Sequence, residues 1–506
     1  MIALTAADVA EATGGRLHAA ADVAVTGPVE VDSRRVGAGS LFVALPGERV
    51  DGHDFAQAAV DAGATLVLAA RELEGLPTVV VDDVQAALGE LARAVLARVR
   101  ATGDVRVVAV TGSVGKTTTK DLLGQLLADL LPDDVAPADG LVVPAGSYNN
   151  EVGLPLTVLR VTEATRFLVL EMGADGPGNI AYLTRIAPPD VGIVLAVGVA
   201  HVGKFGSVEA IARTKSEMVT GVLPGGTVVL NADDQRVAAM SALTSPEHTV
   251  TTFGTISSAD VRATDVEVDA SGRARFGLVG QVGADASPVE LRLVGAHHVS
   301  NALAAAAAVL ALGGTVADVV AGLSRATPVS PHRMAVTERP DGVTVVDDAY
   351  NANPDSMRAA LRTLAVMAGR TRRSVAVLGE MLELGDGARA AHDAIGRLVV
   401  RLNVKLLVVV GDGAYHIHEG ALQEGSWGEE SVFVPDLDAA REVLAESLEP
   451  GDVVLVKSSL GSGLWQLGDE LAAGGPAAPG IDDQDGQDGQ DGQDGQDGQE
   501  STVVVP

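Results

Sequence analysis

A glycine-bearing turn followed by a lysine and three threonines indicates a phosphate-binding loop. In VRVVAVTGSVGKTTTK (105–120), a β-branched apolar run ends in this turn, and an amphipathic segment follows it. A strand, a turn and a helix N-terminus in this order point backbone N–H groups at an anion, while the lysine reaches the terminal phosphates and a hydroxyl ligates Mg²⁺. The residues predicted to hold a nucleoside triphosphate are Gly112, Ser113, Val114, Gly115, Lys116, Thr117 and Thr118.

The loop is shorter than the full Walker pattern, because Val110 stands where that pattern has a glycine. An ordinary glycine turn beside an N-terminal lysine is the alternative interpretation. The order of strand, turn and helix favours the phosphate site, but a motif this short does not name a reaction.

Polar residues follow three apolar runs downstream, where the carboxyl ends of parallel strands would form a site. Glu171 closes FLVLE, His201 follows DVGIVLAVG, and Asn231 closes GTVVLN. A carboxylate at such a strand end, in a domain that holds a triphosphate, is suited to bind Mg²⁺. A cap or ion pair for the glutamate, a structural histidine, and turn chemistry for the asparagine are the alternatives.

Three further positions carry charge. Lys215 lies in the helical stretch SVEAIARTKSEMV, where a solvated ion pair with Glu209 or Glu217 is the default interpretation. Arg333 lies in the connection TPVSPHRM (327–334), from which domain closure can deliver it to a phosphate; a linker salt bridge is the alternative. Asp348, in VVDDAYNANP, can cap a helix or bind a ligand.

Composition limits the function classes. The chain has 506 residues, so about three domains are expected. It contains no cysteine, which excludes disulfides, thiolate zinc sites and a cysteine nucleophile. A formal net charge of −31 argues against nucleic-acid or anionic-membrane partners. We expect neither a signal peptide nor a membrane-inserted segment, and hence a cytoplasmic protein.

The predicted fold class is α/β with three domains. Residues 1–100 mix short strands and helices, and residues 104–325 form a mostly parallel sheet with the phosphate loop, antiparallel strands at one edge (246–295) and an alanine-rich helix (297–312). Residues 330–472 predict a doubly wound, Rossmann-like domain. The acidic DGQ repeats of residues 475–506 predict a disordered tail, because they contain almost no apolar side chains.

The motifs in order resemble the Mur ligases of peptidoglycan synthesis, over roughly residues 1–470. They are TGSVGKTTTK, LEMG, VAHVG, TKSEM, NADD, GAHHVSNALAA, PHRM, DDAYNANPDSM and VLGEMLELG, together with DSRRVGAGSLFVALPGERVDGHDF (32–55) and SYNNEVGLP (147–155). The resemblance implies a monomeric ligase that uses ATP and Mg²⁺ to join UDP-N-acetylmuramoyl-tripeptide to D-alanyl-D-alanine through an acyl phosphate. The alternative is the family member that adds the third residue of the peptide, diaminopimelate or lysine. The motifs YNANPDSM and NNEVGLP favour the ligase that adds D-alanyl-D-alanine.

The resemblance also assigns roles to single residues. It implies catalytic roles for Lys116, Glu171, His201, Lys215 and Arg333, and metal ligation by Thr117, Glu171, His201 and a Lys215 carbamate derived from CO₂. The implied nucleotide contacts beyond the loop are Asn231, Asn301, Arg333 and Asp348. The implied substrate contacts are Ser33, Arg34 and residues 45–53 for the UDP-sugar, Asn149 and Asn150 for the muramoyl-tripeptide, and Lys457 and Ser458 for the dipeptide.

Two positions depart from the family pattern. His298 stands where an asparagine is usual, and Leu460 stands where an arginine is common.

Two other classes of function remain open: a P-loop kinase or nucleotide switch, which would hydrolyse ATP with no acceptor, and a scaffold with a relic site. The intact set of site residues argues against the scaffold: Lys116, Thr117, Glu171, His201 and Lys215.

Overall fold

The computed structural model describes residues 1–47, 50–198, 202–425 and 430–475. Three of the sequence predictions lie wholly or partly outside the described residues: the role of His201, positions 48 and 49 of the 45–53 loop, and all but the first residue of the disordered tail at 475–506. Among the described helices, none is both long enough and apolar enough to cross a membrane.

The N-terminal region contains a five-stranded sheet of order β2-β7-β6-β5-β4 and a two-stranded sheet of β1 and β3. Its helix α3 is amphipathic and caps itself through Asp83. The elements are β1 (Leu4–Thr5), α1 (Ala6–Thr13), β2 (Arg16–His18), β3 (Ala24–Val25), β4 (Val29–Glu30), β5 (Ser40–Val43), α2 (Ala56–Asp61), β6 (Ala64–Ala69), β7 (Thr78–Val80) and α3 (Val84–Thr102).

The central region contains a nine-stranded sheet of order β16-β15-β14-β13-β12-β11-β8-β10-β9. Its strands are β8 (Arg106–Thr111), β9 (Leu141–Val142), β10 (Phe167–Glu171), β11 (Val191–Val194), β12 (Thr227–Asn231), β13 (Thr249–Gly254), β14 (Val261–Val268), β15 (Arg273–Val279) and β16 (Ser287–Val294). Its helices are α4 (Lys116–Ala128), α5 (Pro137–Gly140), α6 (Gly153–Val158), α7 (Asn179–Ile186), α8 (Val202–Phe205), α9 (Val208–Gly221), α10 (Gln235–Ala238), α11 (His298–Ala311) and α12 (Val316–Arg325).

The central sheet has a buried face on each side. One face shares a hydrophobic cluster with α3, so the N-terminal region and the central sheet have a common core. The other face packs on α4 and the alanine-rich α11. Strands β8, β10 and β11 read as continuous apolar runs because they are covered on both sides. Their neighbouring carboxyl ends position the site.

The prediction that all of residues 246–295 are antiparallel is wrong for the first strand. Strand β13 runs parallel to β12 and to the start of β14, and only β14, β15 and β16 pair antiparallel. Alternation of apolar and polar residues reports a half-exposed strand, and β13 is half-exposed over most of its length. The two-residue alternation of apolar and polar side chains therefore did not indicate whether neighbouring strands run parallel or antiparallel.

The C-terminal region contains a six-stranded sheet of order β17-β18-β22-β19-β20-β21, in which only the edge strand β17 is antiparallel. Hydrophobic clusters cover both faces, as expected for a doubly wound domain. The elements are β17 (Ala335–Glu338), β18 (Thr344–Asp347), α13 (Pro354–Ala368), β19 (Ser374–Leu378), α14 (Ala388–Arg401), β20 (Leu406–Val410), α15 (Tyr415–Glu424), β21 (Ser431–Val434), α16 (Leu437–Ser447), β22 (Val453–Lys457) and α17 (Trp465–Ala472). The predicted α/β class is confirmed.

Candidate active site

The phosphate loop joins β8 to α4, as its sequence predicts. Gly115 adopts φ +83° and stands at the N-cap of α4, where no described side chain caps the helix. The N–H groups of the first turn are therefore open to an anion. The Lys116 ammonium donates to the Gly112 carbonyl at 2.9 Å. Burial lowers the pKa of Lys116, and the nearby Glu171 carboxylate opposes that shift, so a bound phosphate would stabilise its charged form.

Substituting alanine for Gly115 is expected to raise the KM for ATP at least about tenfold, because the positive φ disfavours a side chain and the new Cβ would lie 2.3 Å from Asn301 Oδ1. Gly75→Ala is the matched control, since Gly75 has φ +77° with no atom within 4 Å of a Cβ. ATP titrations of both variants, with thermal unfolding alongside, check the prediction. An unchanged KM in Gly115→Ala would contradict it.

A buried group of oxygen atoms lies beside the loop. The Thr117 hydroxyl donates to Glu171 Oε2 at 2.9 Å, and the Asn149 amide donates to Glu171 Oε1 at 2.7 Å. The Ser147 hydroxyl lies 2.9 Å from that of Thr117. Glu171 is only 1% exposed. A carboxylate and hydroxyls at the phosphate loop are the ligands that Mg²⁺ prefers, so the donor set fits this ion.

Arg333 reaches this group from the connection between α12 and β17. Its Nη2 donates to Thr117 Oγ1 at 3.2 Å and to Ser147 Oγ at 3.4 Å. The guanidinium lies 4.2 Å from the centre of the Tyr350 ring, within cation–π range. Its Nε is buried and has no hydrogen-bond partner among the described residues. The alternative of a linker salt bridge has no support there, because Arg333 pairs with no described carboxylate.

The backbone on both sides of Arg333 is strained. His332 and Met334 have φ of +54° and +52°, values that side-chain-bearing residues rarely adopt. Two consecutive carboxylates hold this conformation. Asp347 lies 2.6 Å from His332 Nδ1, and Asp348 accepts from the Met334 N–H at 3.1 Å. The end of β18 therefore fixes the direction in which Arg333 points.

Lys215 faces the same cavity from α9. It is 5% exposed, and burial together with the charge of Lys116 lowers its pKa to about 7. The default interpretation of an ion pair with the neighbouring glutamates is wrong, because Glu209 pairs with Arg236 at 3.0 Å and Glu217 accepts from the N–H groups of Gly178 and Ala181. Among the described residues, no group pairs with the Lys215 amine.

The residues predicted to contact the nucleotide approach the cavity from two regions. Asn301 lies in the first turn of α11, where its side chain contacts Gly115 and stands 3.2 Å from His298 Nδ1. Burial holds the pKa of His298 well below its ordinary value, so its ring is neutral. From the C-terminal region, Asp348 pairs with the Lys457 ammonium at 2.6 Å. The ammonium also donates to the Asn351 carbonyl at 2.8 Å.

One cavity of about 540 Å³ between the central and C-terminal sheets brings most of the predicted residues together. Those lining it are Ser113, Val114, Gly115, Lys116, Thr117, Thr118, Asn149, Asn150, Glu171, Lys215, Asn301, Arg333, Asp348 and Lys457. Ser147 and Tyr350, which contact Arg333, are among the wall residues that sequence reasoning missed. Both lie inside quoted motifs, SYNNEVGLP and DDAYNANPDSM, so the motifs themselves were the available signal.

Of the predicted residues that the structure describes, it does not bring the following to the wall of this cavity: Gly112, Asn231, Ser458, Ser33 and Arg34. The Asn231 amide donates to the Leu195 carbonyl at 2.7 Å and accepts from the Asp233 N–H, so it closes a turn. The Ser458 hydroxyl is buried against the Ser459 carbonyl at 3.1 Å. Ser33 and Arg34 lie in a short turn of the N-terminal region, and the Arg34 guanidinium binds Asp32.

Comparisons with known proteins agree with this arrangement. Three family models match the chain: the Mur ligase family catalytic domain over residues 28–99, the Mur ligase middle domain over 110–309, and the Mur ligase glutamate ligase domain over 332–460.

Relatives match over nearly the whole chain. The UDP-N-acetylmuramoyl-tripeptide--D-alanyl-D-alanine ligase of Mycobacterium tuberculosis H37Rv is 49% identical, over 94% of this chain and 98% of that protein. A crystal structure of MurF from Acinetobacter baumannii has a TM-score of 0.82 and 30% identity, over 93% of this chain and 99% of the other. MurF from Thermotoga maritima in complex with ADP has a TM-score of 0.73 and 29% identity, over 89% and 98%. The chain belongs to the Mur ligase family.

Proposed function

We propose that this protein is the ATP-dependent ligase that joins D-alanyl-D-alanine to UDP-N-acetylmuramoyl-tripeptide. The observation that carries the proposal is the meeting of Lys116 and Arg333 around Thr117 and Glu171 in one cavity. The near full-length similarity to the mycobacterial ligase favours D-alanyl-D-alanine as the amine substrate over diaminopimelate or lysine.

The reaction brings anions together, and the site supplies positive charge. The tripeptide carboxylate attacks the γ-phosphorus of ATP, so that a carboxyl O–P bond forms, the β,γ-bridging O–P bond breaks and ADP leaves. The dipeptide amine then attacks the acyl carbon, loses a proton and displaces phosphate. Lys116 and Arg333 are placed to stabilise the charge on the transferred group. Thr117 and Glu171 would hold Mg²⁺, which neutralises further phosphate charge when bound.

A carbamate on Lys215 fits its surroundings. An uncharged amine can attack CO₂ and lose a proton, giving an anion with two oxygens. Burial and the positive Lys116 favour the uncharged amine, and the charge of Lys116 would favour the carbamate anion once it formed. The modified side chain would supply oxygen ligands to a second metal ion, which the His201 imidazole would also help to hold. Both assignments belong to this proposal.

The remaining substrate contacts also belong to it. Asn149 and Asn150 would face the muramoyl-tripeptide, Ser33 and Arg34 with residues 45–53 would hold the UDP-sugar, and Lys457 with Ser458 would lie near the dipeptide. Asn301 and Asp348 would contact the nucleotide. We further propose a monomeric cytoplasmic enzyme with domains at 1–100, 104–325 and 330–472, followed by a tail at 475–506.

A phosphate-release assay across acceptors tests the function. Release is expected only when ATP, UDP-N-acetylmuramoyl-tripeptide and D-alanyl-D-alanine are all present. Release with UDP-muramoyl-dipeptide and a diamino acid would instead identify the third-residue ligase. Release with ATP alone, unchanged by either acceptor, would identify a nucleotide hydrolase or switch and overturn the proposal.

Arg333→Lys is expected to lower kcat about 10²-fold, although it keeps the charge. The planar guanidinium lies over the Tyr350 ring while its Nη2 donates to Thr117 and Ser147. A lysine ammonium is a compact point charge and cannot make all three contacts at once. Steady-state kinetics with all three substrates measures the loss. Arg275→Lys is the control, because Arg275 lies on β15 outside the cavity wall and pairs with Glu267 at the exposed surface of the sheet. Equal activity of Arg333→Lys and the unaltered protein would show that charge alone suffices.

A further inference from the structure

A buried lysine one helical turn beyond Lys116 has no part in the mechanism above. Lys120 is 2% exposed, on the inner side of α4. Its ammonium donates to the carbonyls of Pro144 and Gly146, each at 3.1 Å, and lies 2.6 Å from Asp121 Oδ1. These acceptors are enough to satisfy the three N–H donors of a lysine ammonium.

The two carbonyls belong to the loop that carries Ser147 and Asn149. This loop is held against α4 by the lysine immediately before it enters the site. Ser147 then contacts both Thr117 and Arg333, while Asn149 donates to Glu171. The Lys120 ammonium therefore fixes the position of this loop relative to the phosphate-binding loop.

Asp121, the acidic partner of Lys120, binds the connection to the C-terminal region. Asp121 Oδ2 accepts from the backbone N–H of Ser330 at 3.1 Å, and the Ser330 hydroxyl lies 3.5 Å from the Lys120 ammonium. Ser330 is three residues before Arg333 in the connection to the C-terminal region. One turn further along α4, Gln125 exchanges two hydrogen bonds of 3.0 Å with the backbone of Thr327. The helix that begins in the phosphate loop therefore holds the connection that delivers Arg333.

We propose that Lys120 is a positioning residue, which with Asp121 links the 144–146 loop and the 327–330 connection so that Ser147 and Arg333 meet at Thr117. This inference rests on the proposed ligase function. A buried ion pair by itself is weak evidence for a contribution to stability. Here, however, its hydrogen bonds go to the backbones of two segments that each present a side chain to the site.

A double-mutant cycle tests the inference. Lys120→Met keeps the length of the side chain but removes its charge and donors. It is expected to lower kcat about 10²-fold, because small displacements of positioned groups cost this much, while the KM for ATP changes little. In an Arg333→Ala background the same substitution is expected to have a much smaller further effect, because one of the two side chains that it positions is gone. Lys120→Arg, which can still donate to carbonyls, is expected to recover most of the activity.

Equal losses from Lys120→Met in both backgrounds, or an unchanged kcat, would overturn the inference. Should Lys120→Met not fold, Asp121→Asn serves in the same cycle, since it retains an acceptor for the Ser330 N–H but removes the charge that holds the ammonium. Lys405→Met is the control, because Lys405 is exposed and its ammonium donates only to Asn403 among the described residues. Three-substrate phosphate release by the unaltered chain tests the ligase function separately, so failure of either claim is recognisable.

Discussion

Lys116→Ala is expected to lower turnover by at least about 10³-fold. Among the described residues of the phosphate loop, Lys116 carries the only charged side chain, and its ammonium stands at the helix N-terminus that faces the cavity. Charge that builds up on the transferred phosphoryl group is stabilised by positioned cations, and removing one such donor costs about two to three orders of magnitude. Phosphate release with ATP, UDP-N-acetylmuramoyl-tripeptide and dipeptide measures the effect.

The stability of this variant is expected to change little. The hydrogen bond from Lys116 to the Gly112 carbonyl is worth about 1 kcal/mol. Its burial disfavours the charged amine, so removing the ammonium also removes a desolvation cost. The midpoint of thermal unfolding should therefore stay within a few degrees of the unaltered protein. Turnover within about tenfold of normal in a folded variant would remove Lys116 from the phosphate site.

Much of the site could be predicted because the sequence places its residues at element boundaries. Lys116 begins a helix, Glu171 ends a strand, and the neighbouring β8 and β10 bring the two together. Both positions can be found from local pattern alone, since apolar runs mark the strands and glycine marks the turn. Arg333 could be proposed only from its place in a connection, because nothing local specifies where a connection delivers its side chains.

The parts that could not be predicted depend on contacts between distant segments. Lys120 and Asp121 read as ordinary helix charges in KTTTKDLLGQLL, but they are buried against segments more than 20 and 200 residues away. Asn231 looks like a ligand at a strand end, yet its amide is consumed by the turn that follows. Burial and partner choice are tertiary properties, so residue type and spacing leave them open.

The charge at Lys215 separates two interpretations of the site. If Lys215 acts as a cation, it adds a positive charge to those of Lys116 and Arg333 near the phosphate loop. If it acts as a carbamate, it contributes an anion opposite them. The structure gives the amine no carboxylate partner among the described residues, and its pKa of about 7 leaves a large uncharged fraction at neutral pH. An uncharged amine is the form that reacts with CO₂.

Lys215→Ala is accordingly expected to lose at least about 10²-fold in turnover and to recover part of it when acetate is added, because a small carboxylate can occupy the space of the missing carbamate. Methylammonium, which would replace a cation, is expected to have no effect. The matched control is Lys116→Ala, whose lost positive charge acetate cannot replace. Phosphate release across acetate and methylammonium titrations distinguishes the two interpretations. Rescue of Lys215→Ala by methylammonium alone would mean that the lysine works as a cation, and full activity without any additive would mean that the reaction does not need it.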